Sequence, residues 1–194
     1  MTKQIHIGGV PIGGGAPVTI QSMCNTPTED VEATVAQIHR LEQAGCDIIR
    51  VAVPNKEAAR AVGAIKERIS IPLVVDIHFD YRLALEAVAA GADKVRINPG
   101  NIGGEDRVKA VAQACRAKGV PIRIGVNGGS LEKGLLEKYG GVTPEALVES
   151  AFGHIALLNK FDFDDICVSL KSSDVRTTMA AYRLMSERSG YPLH

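Results

Sequence analysis

Ala44-Gly-Cys-Asp-Ile-Ile-Arg-Val51 and Ala90-Gly-Ala-Asp-Lys-Val-Arg-Ile97 are two copies of one pattern. In each, a small residue and a glycine close a helix, an aspartate turns the chain, and an apolar run carrying one arginine follows. Between and after them stand Ile71-Pro-Leu-Val-Val-Asp76 and Val120-Pro-Ile-Arg-Ile-Gly125, which enter their apolar runs through a proline instead. Alternate strands therefore begin through different turns. That suits a parallel barrel whose interior layers draw on alternate strands.

Working outward, short apolar runs recur at Val18–Met23, Ile48–Val53, Leu73–His78, Lys94–Asn98, Ile122–Asn127 and Ile166–Leu170. Segments with helical periodicity separate them, at about 55–69, 80–90, 104–118, 143–160 and 174–189. Ahead of these, in the segment between the first two runs, Val31, Val35, Ile38 and Leu41 form one stripe, with Thr26, Pro27 and Glu29 as its expected capping box and Gly45 as its end. Strands apolar on both faces, alternating with helices, predict an α/β fold of right-handed βαβ units. The expected architecture is an incomplete TIM-type (β/α) barrel of six βα units. Ser189-Gly-Tyr-Pro-Leu-His194 repeats the proline entry and so starts a seventh strand. An open doubly wound sheet is the competing architecture. The glycine-rich Gly8–Gly15 segment predicts a hairpin closing the bottom of the barrel, and Asp47 and Asp93 predict turn caps there.

The chain has 194 residues, with 22 Lys+Arg against 22 Asp+Glu and 4% aromatic residues. Zero net charge and few stacking residues argue against a nucleic-acid binder. No apolar stretch is long enough to span a bilayer and no signal-peptide core is present, so a cytoplasmic chain without a membrane partner is expected. Cys24, Cys46, Cys115 and Cys167 are dispersed without a C-x-x-C pair. They predict buried small residues, with no metal site and no disulfide framework in this chain.

The polar residues of the strands carry the functional signal. Arg50, Asp76, His78, Arg96, Asn98, Arg123 and Asn127 fall on the C-terminal halves of their strands, at spacings that put each strand's set on one face, and Lys171 follows the sixth strand. Val75, Ile77, Val95, Ile97, Ile124 and Val126 occupy the other face, so the polar set points into the barrel, at the end where barrel enzymes keep their sites. Buried charges need partners or a ligand. Three arginines and a lysine around one cavity suit a phosphate or diphosphate, with the glycine-rich loops Asn98–Gly104 and Asn127–Ser130 at its rim. The alternative for the arginines is structural ion pairing with Asp76. His39 reads as a surface residue.

With these residues in view, the chain resembles the 4-hydroxy-3-methylbut-2-enyl diphosphate synthase family over about residues 5–194. The resemblance is carried by Val10-Pro-Ile-Gly13, Gln21-Ser-Met23 with Asn25-Thr26, Asp76-Ile-His-Phe-Asp-Tyr-Arg82 and Arg96-Ile-Asn-Pro-Gly-Asn-Ile-Gly103. Arg123-Ile-Gly-Val-Asn127, Gly129-Ser-Leu-Glu-Lys133, Lys171 and Ser173-Asp174 complete it; Cys24 stands where a threonine is common. The resemblance implies a reductive ring opening and dehydration of 2-C-methyl-D-erythritol 2,4-cyclodiphosphate in isoprenoid biosynthesis. The electrons would come from flavodoxin or ferredoxin through a 4Fe–4S cluster. In the family three cysteines and a glutamate of a C-terminal domain hold that cluster, and the other subunit of a homodimer brings it over the barrel mouth. Residues 1–194 are then expected to be the substrate-binding barrel domain, truncated at its C-terminal end, with the iron–sulfur domain absent and no turnover of its own. By the same resemblance Arg50, Arg96, Asn98, Arg123, Asn127 and Lys171 bind the diphosphate, while Asp76 and His78 orient substrate. Rival classes are another phosphate-binding barrel enzyme, pterin-dependent or aldolase-like with Lys171 as a Schiff-base lysine, and a non-catalytic anion-binding module.

Overall fold

The structure, a computed structural model, describes residues 1–194. The repeated pattern that opens the sequence has a direct conformational meaning. Helix α1 (Val31–Gln43) ends with Gly45 at φ +93°, and the Cys46 and Gly45 amides donate back to Leu41 and Glu42 carbonyls. Helix α3 (Tyr81–Ala89) ends identically, with Gly91 at φ +102° and the Ala92 and Gly91 amides donating to Ala87 and Val88. Only glycine adopts this left-handed cap without steric cost. The aspartates then act as expected. Asp47 accepts from the Ile20 amide at 2.7 Å and Asp93 from the Leu73 amide at 2.7 Å, each tying one strand to its neighbour at the lower end of the sheet.

The remaining elements are β1 (Ile5–Ile7), β2 (Val10–Ile12), β3 (Gln21–Met23), β4 (Ile48–Ala52), α2 (Lys56–Lys66), β5 (Leu73–Asp76), β6 (Lys94–Ile97), α4 (Glu105–Lys118), β7 (Ile122–Asn127), α5 (Lys133–Tyr139), α6 (Pro144–Asn159), β8 (Ile166–Lys171) and α7 (Val175–Arg188). Strands β3 to β8 form one parallel sheet in chain order, each paired with the next, while β1 and β2 make a separate antiparallel hairpin. Beyond α7 the chain returns alongside β8. The Val168 amide donates to Pro192, the His194 amide donates to Val168, and Leu193 bridges Val168 in parallel. The seventh strand has thus begun, and the molecule is an incomplete (β/α) barrel, not a doubly wound sheet.

Two expectations are corrected locally. The capping box at Thr26 does not form, because Pro27 to Asp30 make a separate turn and Asp30 caps α1, its carboxylate accepting from the Ala33 amide at 3.0 Å. Strand β5 ends at Asp76 and β6 at Ile97, so His78 and Asn98 lie in the loops beyond the strands. Helix α5 was not anticipated from periodicity; its seven residues are too few to show one.

Val51, Val75, Val95, Ile97, Ile122, Ile124 and Ile166 are all buried between the sheet and the helices, together with Val62, Ile65, Val88, Val111, Leu147, Leu158 and Met185. On the inner face the hairpin plugs the lower end: Ile7 packs on Ile48 and Val74, flanked by Val10 and Ile12. All four cysteines are free and buried. No helix is long and apolar enough to cross a membrane.

The lower interior layer also holds Lys94, 1% exposed, with Gln21 Oε1 3.2 Å from its ammonium. Burial pulls this amine down to about 8, against its ordinary 10.5. The folded chain therefore holds fewer protons than the unfolded chain between pH 8 and 10.5, and stability rises with pH across that window. Lys94→Met is expected to stabilise the chain at pH 7 by about 3 kcal/mol, with the gain vanishing as the pH approaches 10.5. Urea unfolding at pH 7 and pH 10 measures both.

Candidate functional site

The register of the sheet places the charged side chains. Asp76 pairs with Arg96 on the adjacent strand, and Arg96 with Arg123 on the next, so two like charges are direct cross-strand neighbours inside the barrel. Such a pair costs stability unless something negative lies between or above it. Asp76 supplies part of the compensation. Its Oδ1 accepts from Arg96 Nη1 at 3.0 Å, and its Oδ2 lies 3.8 Å from Arg50 Nε. His78 Nε2 is 3.7 Å from the same carboxylate. One buried carboxylate, with a side chain 6% exposed, thus serves two arginines and a histidine.

Arg123 lies outside this arrangement. It is 3% exposed, yet its Nε and Nη1 have no hydrogen-bond partner. Burial first, then repulsion from Arg50 and Arg96, pushes its guanidinium down to about 10. An unpaired buried cation costs several kcal/mol. The structural ion-pair reading therefore holds for Arg96 and Arg50, but leaves Arg123 unexplained.

Arg50, Asp76, Arg96, Arg123, Asn127 and Lys171 converge on one cavity of about 430 Å³ at the C-terminal mouth. Arg50 is steadied by Met23, whose sulfur lies 3.1 Å from its Nε. Arg96 lies across Gly125: a Cβ there would sit 2.4 Å from Arg96 Nε, so this strand position has to be glycine for the guanidinium to reach Asp76. Lys171 ends β8, exposed at the rim opposite Asn127. Two predicted residues stand off the cavity. His78 is half exposed in its loop, and Asn98 is buried in a turn where its Oδ1 accepts from the Gly100 amide at 3.1 Å.

Three polar lining residues were not singled out from sequence, Ser169, Tyr182 and His194, beside the apolar Val126 and Leu170. Ser169 lies two residues before Lys171 on the same face, a spacing that could have found it. Tyr182 is on α7 and enters only through tertiary packing; the Leu170 amide donates to its hydroxyl, which donates to the His194 carbonyl. His194 is exposed at the chain's end, and partial desolvation with the cations Arg123, Lys94 and Arg50 holds its imidazole below the ordinary histidine range, so at neutral pH it adds no positive charge. A second cavity, of about 500 Å³, lies between the hairpin, Lys94, Cys167 and Pro192, below this layer.

The cysteines do not fit a cluster site. Burial pushes the thiols of Cys24 and Cys115 up to about 11 and about 12 and raises that of Cys167, and nowhere do three or more His, Cys, Asp or Glu side chains converge. Thiolate, the ligating form, is disfavoured at these positions.

Residues 2–194 match the GcpE TIM-barrel domain family. A 4-hydroxy-3-methylbut-2-en-1-yl diphosphate synthase (flavodoxin) of Ruminiclostridium cellulolyticum is 58% identical over 193 residues, covering 100% of this chain and 55% of that protein. The chain thus spans about half the length of the curated relatives it matches. Among solved structures, a type I 3-dehydroquinate dehydratase of Clostridium difficile superposes with a TM-score of 0.72 at 15% identity, over 100% of this chain and 80% of that one. The dihydropteroate synthase of Yersinia pestis gives 0.68 at 15% identity, over 98% and 74%. At such identities these structures speak to the barrel fold alone.

Gly125→Ala is expected to displace the Arg96 guanidinium from Asp76 and destabilise the chain by about 2 kcal/mol. In an Arg96→Ala background the same substitution should cost about 1 kcal/mol less. A double-mutant cycle read by urea unfolding tests the coupling.

Proposed function

The chain belongs to the GcpE TIM-barrel domain family, and from that premise we propose that residues 1–194 form the substrate-binding barrel domain of a 4-hydroxy-3-methylbut-2-enyl diphosphate synthase. Its ligand is 2-C-methyl-D-erythritol 2,4-cyclodiphosphate, which the whole enzyme opens by two-electron reduction with loss of water. Flavodoxin, printed in the names of the relatives, or ferredoxin supplies the electrons. The 4Fe–4S cluster belongs to a separate iron–sulfur domain, presented over the barrel mouth by the second subunit of a homodimer. The cysteines of this chain do not fit that cluster, so the part assigned to these residues is binding and orientation.

A single observation carries this reading: the buried guanidinium of Arg123, with two nitrogens unpartnered, in a cavity where three arginines face one carboxylate. Diphosphate oxygens would fill those donor positions and relieve the Arg96–Arg123 repulsion. Arg50, Lys171, Asn127 and Ser169 surround the same space and can take the second phosphoryl group. A ring anchored through both phosphates loses its freedom to tumble, so its carbon skeleton is held toward the open mouth, where the reaction is completed. Asp76 holds the Arg96 fork in place and, with His78 beside it, offers polar contacts to the substrate hydroxyls. Below the cation layer the hairpin packs Ile7 on Ile48 and Val74.

Calorimetric titration with the cyclic diphosphate tests the proposal. Arg123→Met is expected to weaken binding about 100-fold, equivalent to about 3 kcal/mol, while raising thermal stability, because the unpaired buried charge is gone. Unchanged affinity in this variant would sink the reading. Equal affinity for inorganic phosphate and the cyclic diphosphate would favour the plain anion-binding module instead.

A further inference from the structure

The Gly129-Ser-Leu-Glu-Lys133 segment stands beside the anion site but contributes no residue to its cavity. Its glutamate turns away, toward α6. Glu132 Oε1 accepts from Ser150 Oγ at 3.1 Å and lies 3.1 Å from His154 Nε2. Ser150 is 4% exposed and His154 8% exposed, so these are interior polar groups with a single carboxylate between them.

The same edge of the His154 ring also meets the loop after β6. A Cβ built on Gly100 would lie 3.3 Å from His154 Cε1 and 3.4 Å from Asn98 Oδ1, so the loop backbone is clasped between the imidazole and the asparagine. The Gly100 amide donates to that same Asn98 oxygen at 3.1 Å. On the β7 side, Asn127 Oδ1 accepts from the Gly129 amide at 3.3 Å and the Asn127 carbonyl accepts from Ser130 Oγ at 3.3 Å, in the short turn that leads to Glu132. A continuous set of contacts therefore runs from Asn127 through Glu132 and His154 to Gly100 and Asn98. It joins the loops after β6 and β7 through α6.

We infer that Glu132, braced by Ser150 and His154, is a positioning residue that holds the loop after β7, which carries Asn127 of the anion site, in register with the neighbouring loop after β6. The inference rests on the proposed function for its ligand, but the clasp itself is independent of any ligand. Removing the carboxylate would leave a buried hydroxyl and a buried imidazole unpaired and would free both loops together. Removing a surface partner of α6 would not.

The test compares Glu132→Ala, Glu132→Gln and Glu149→Ala in the full chain. Glu149, also on α6, binds Lys138 at 2.7 Å and Tyr139, away from the rim, and serves as a control for general loosening of α5 and α6. Two readouts are taken: affinity for inorganic diphosphate by calorimetry, and amide hydrogen exchange at Gly100 and Gly129 by NMR. Glu132→Ala is expected to weaken diphosphate binding about tenfold and to speed exchange at both amides by at least about tenfold. Glu132→Gln, whose amide oxygen still accepts from Ser150 and His154, is expected to restore most of both. Glu149→Ala should lower the melting temperature and change neither. Should Glu132→Ala fail to fold, Gly100→Ala presses on the clasp from the loop after β6 with Glu132 intact, and is expected to weaken binding about fivefold.

Wild-type affinity in Glu132→Ala, or in Gly100→Ala where that variant stands in for it, overturns the inference even where exchange accelerates, since the loops would then be braced to no effect. A glutamine variant as weak as the alanine overturns it too, because charge and not bracing would be at issue. If the wild-type chain does not bind diphosphate, the proposed function falls and the positioning role falls with it. Accelerated exchange in Glu132→Ala alone would then leave a purely structural clasp.

Discussion

One buried carboxylate set among three arginines is the constraint from which the rest of the molecule follows. Asp76 neutralises the Arg96 fork and partly offsets Arg50, but Arg96 and Arg123 remain cross-strand neighbours with the same sign. A folded chain tolerates this only if the surrounding structure is stable enough to hold the charges in place. The helices packed over the outer face of the sheet, on Val75, Val95, Ile97, Ile122 and Ile124, provide that stability. The hairpin below packs Ile7 against Ile48 and Val74 and braces the lower end of the sheet. The outer core is apolar apart from Thr34, Ser150 and His154, and the inner face carries the cost of function.

The division of labour between backbone and side chain is consistent along the strands. Glycines and aspartates at the lower end set where β4 and β6 begin, through left-handed helix caps and carboxylates that accept neighbouring amides. Arg50, Arg96, Arg123 and Asn127 at the upper end face the ligand space. Gly125 belongs with the second group although it has no side chain, because the Arg96 guanidinium occupies the volume a Cβ would need. Such a residue shapes the site by leaving room.

Much of the site was legible because a parallel strand has period two and a barrel strand's upper half faces the ligand. That reasoning identified Arg50, Asp76, Arg96, Arg123, Asn127 and Lys171, which the fold gathers around one cavity. It ran past the strand ends at His78 and Asn98, where alternation no longer holds and loop geometry decides the direction of the side chain. It missed Tyr182, which is carried by a helix, and Lys94, whose charge lies in the lower layer among apolar neighbours. The Thr26 capping box failed for a local reason: Asp30 is an equally good cap and stands directly before the first turn of the apolar stripe.

By itself the sequence determined the α/β alternation, the parallel order of the sheet, the lower-end turns and the inward face of the charged residues. Each depends on spacings of a few residues and on the conformational limits of glycine and proline. The tertiary structure alone decided which charges pair. Asp76 reaches Arg96 and Arg50 but not Arg123, and Glu132 turns from the ligand to join Ser150 and His154. The physical reason is reach. Secondary structure sets the side of the sheet a residue faces, whereas pairing depends on strand register and on ångström-scale separations between residues far apart in the chain.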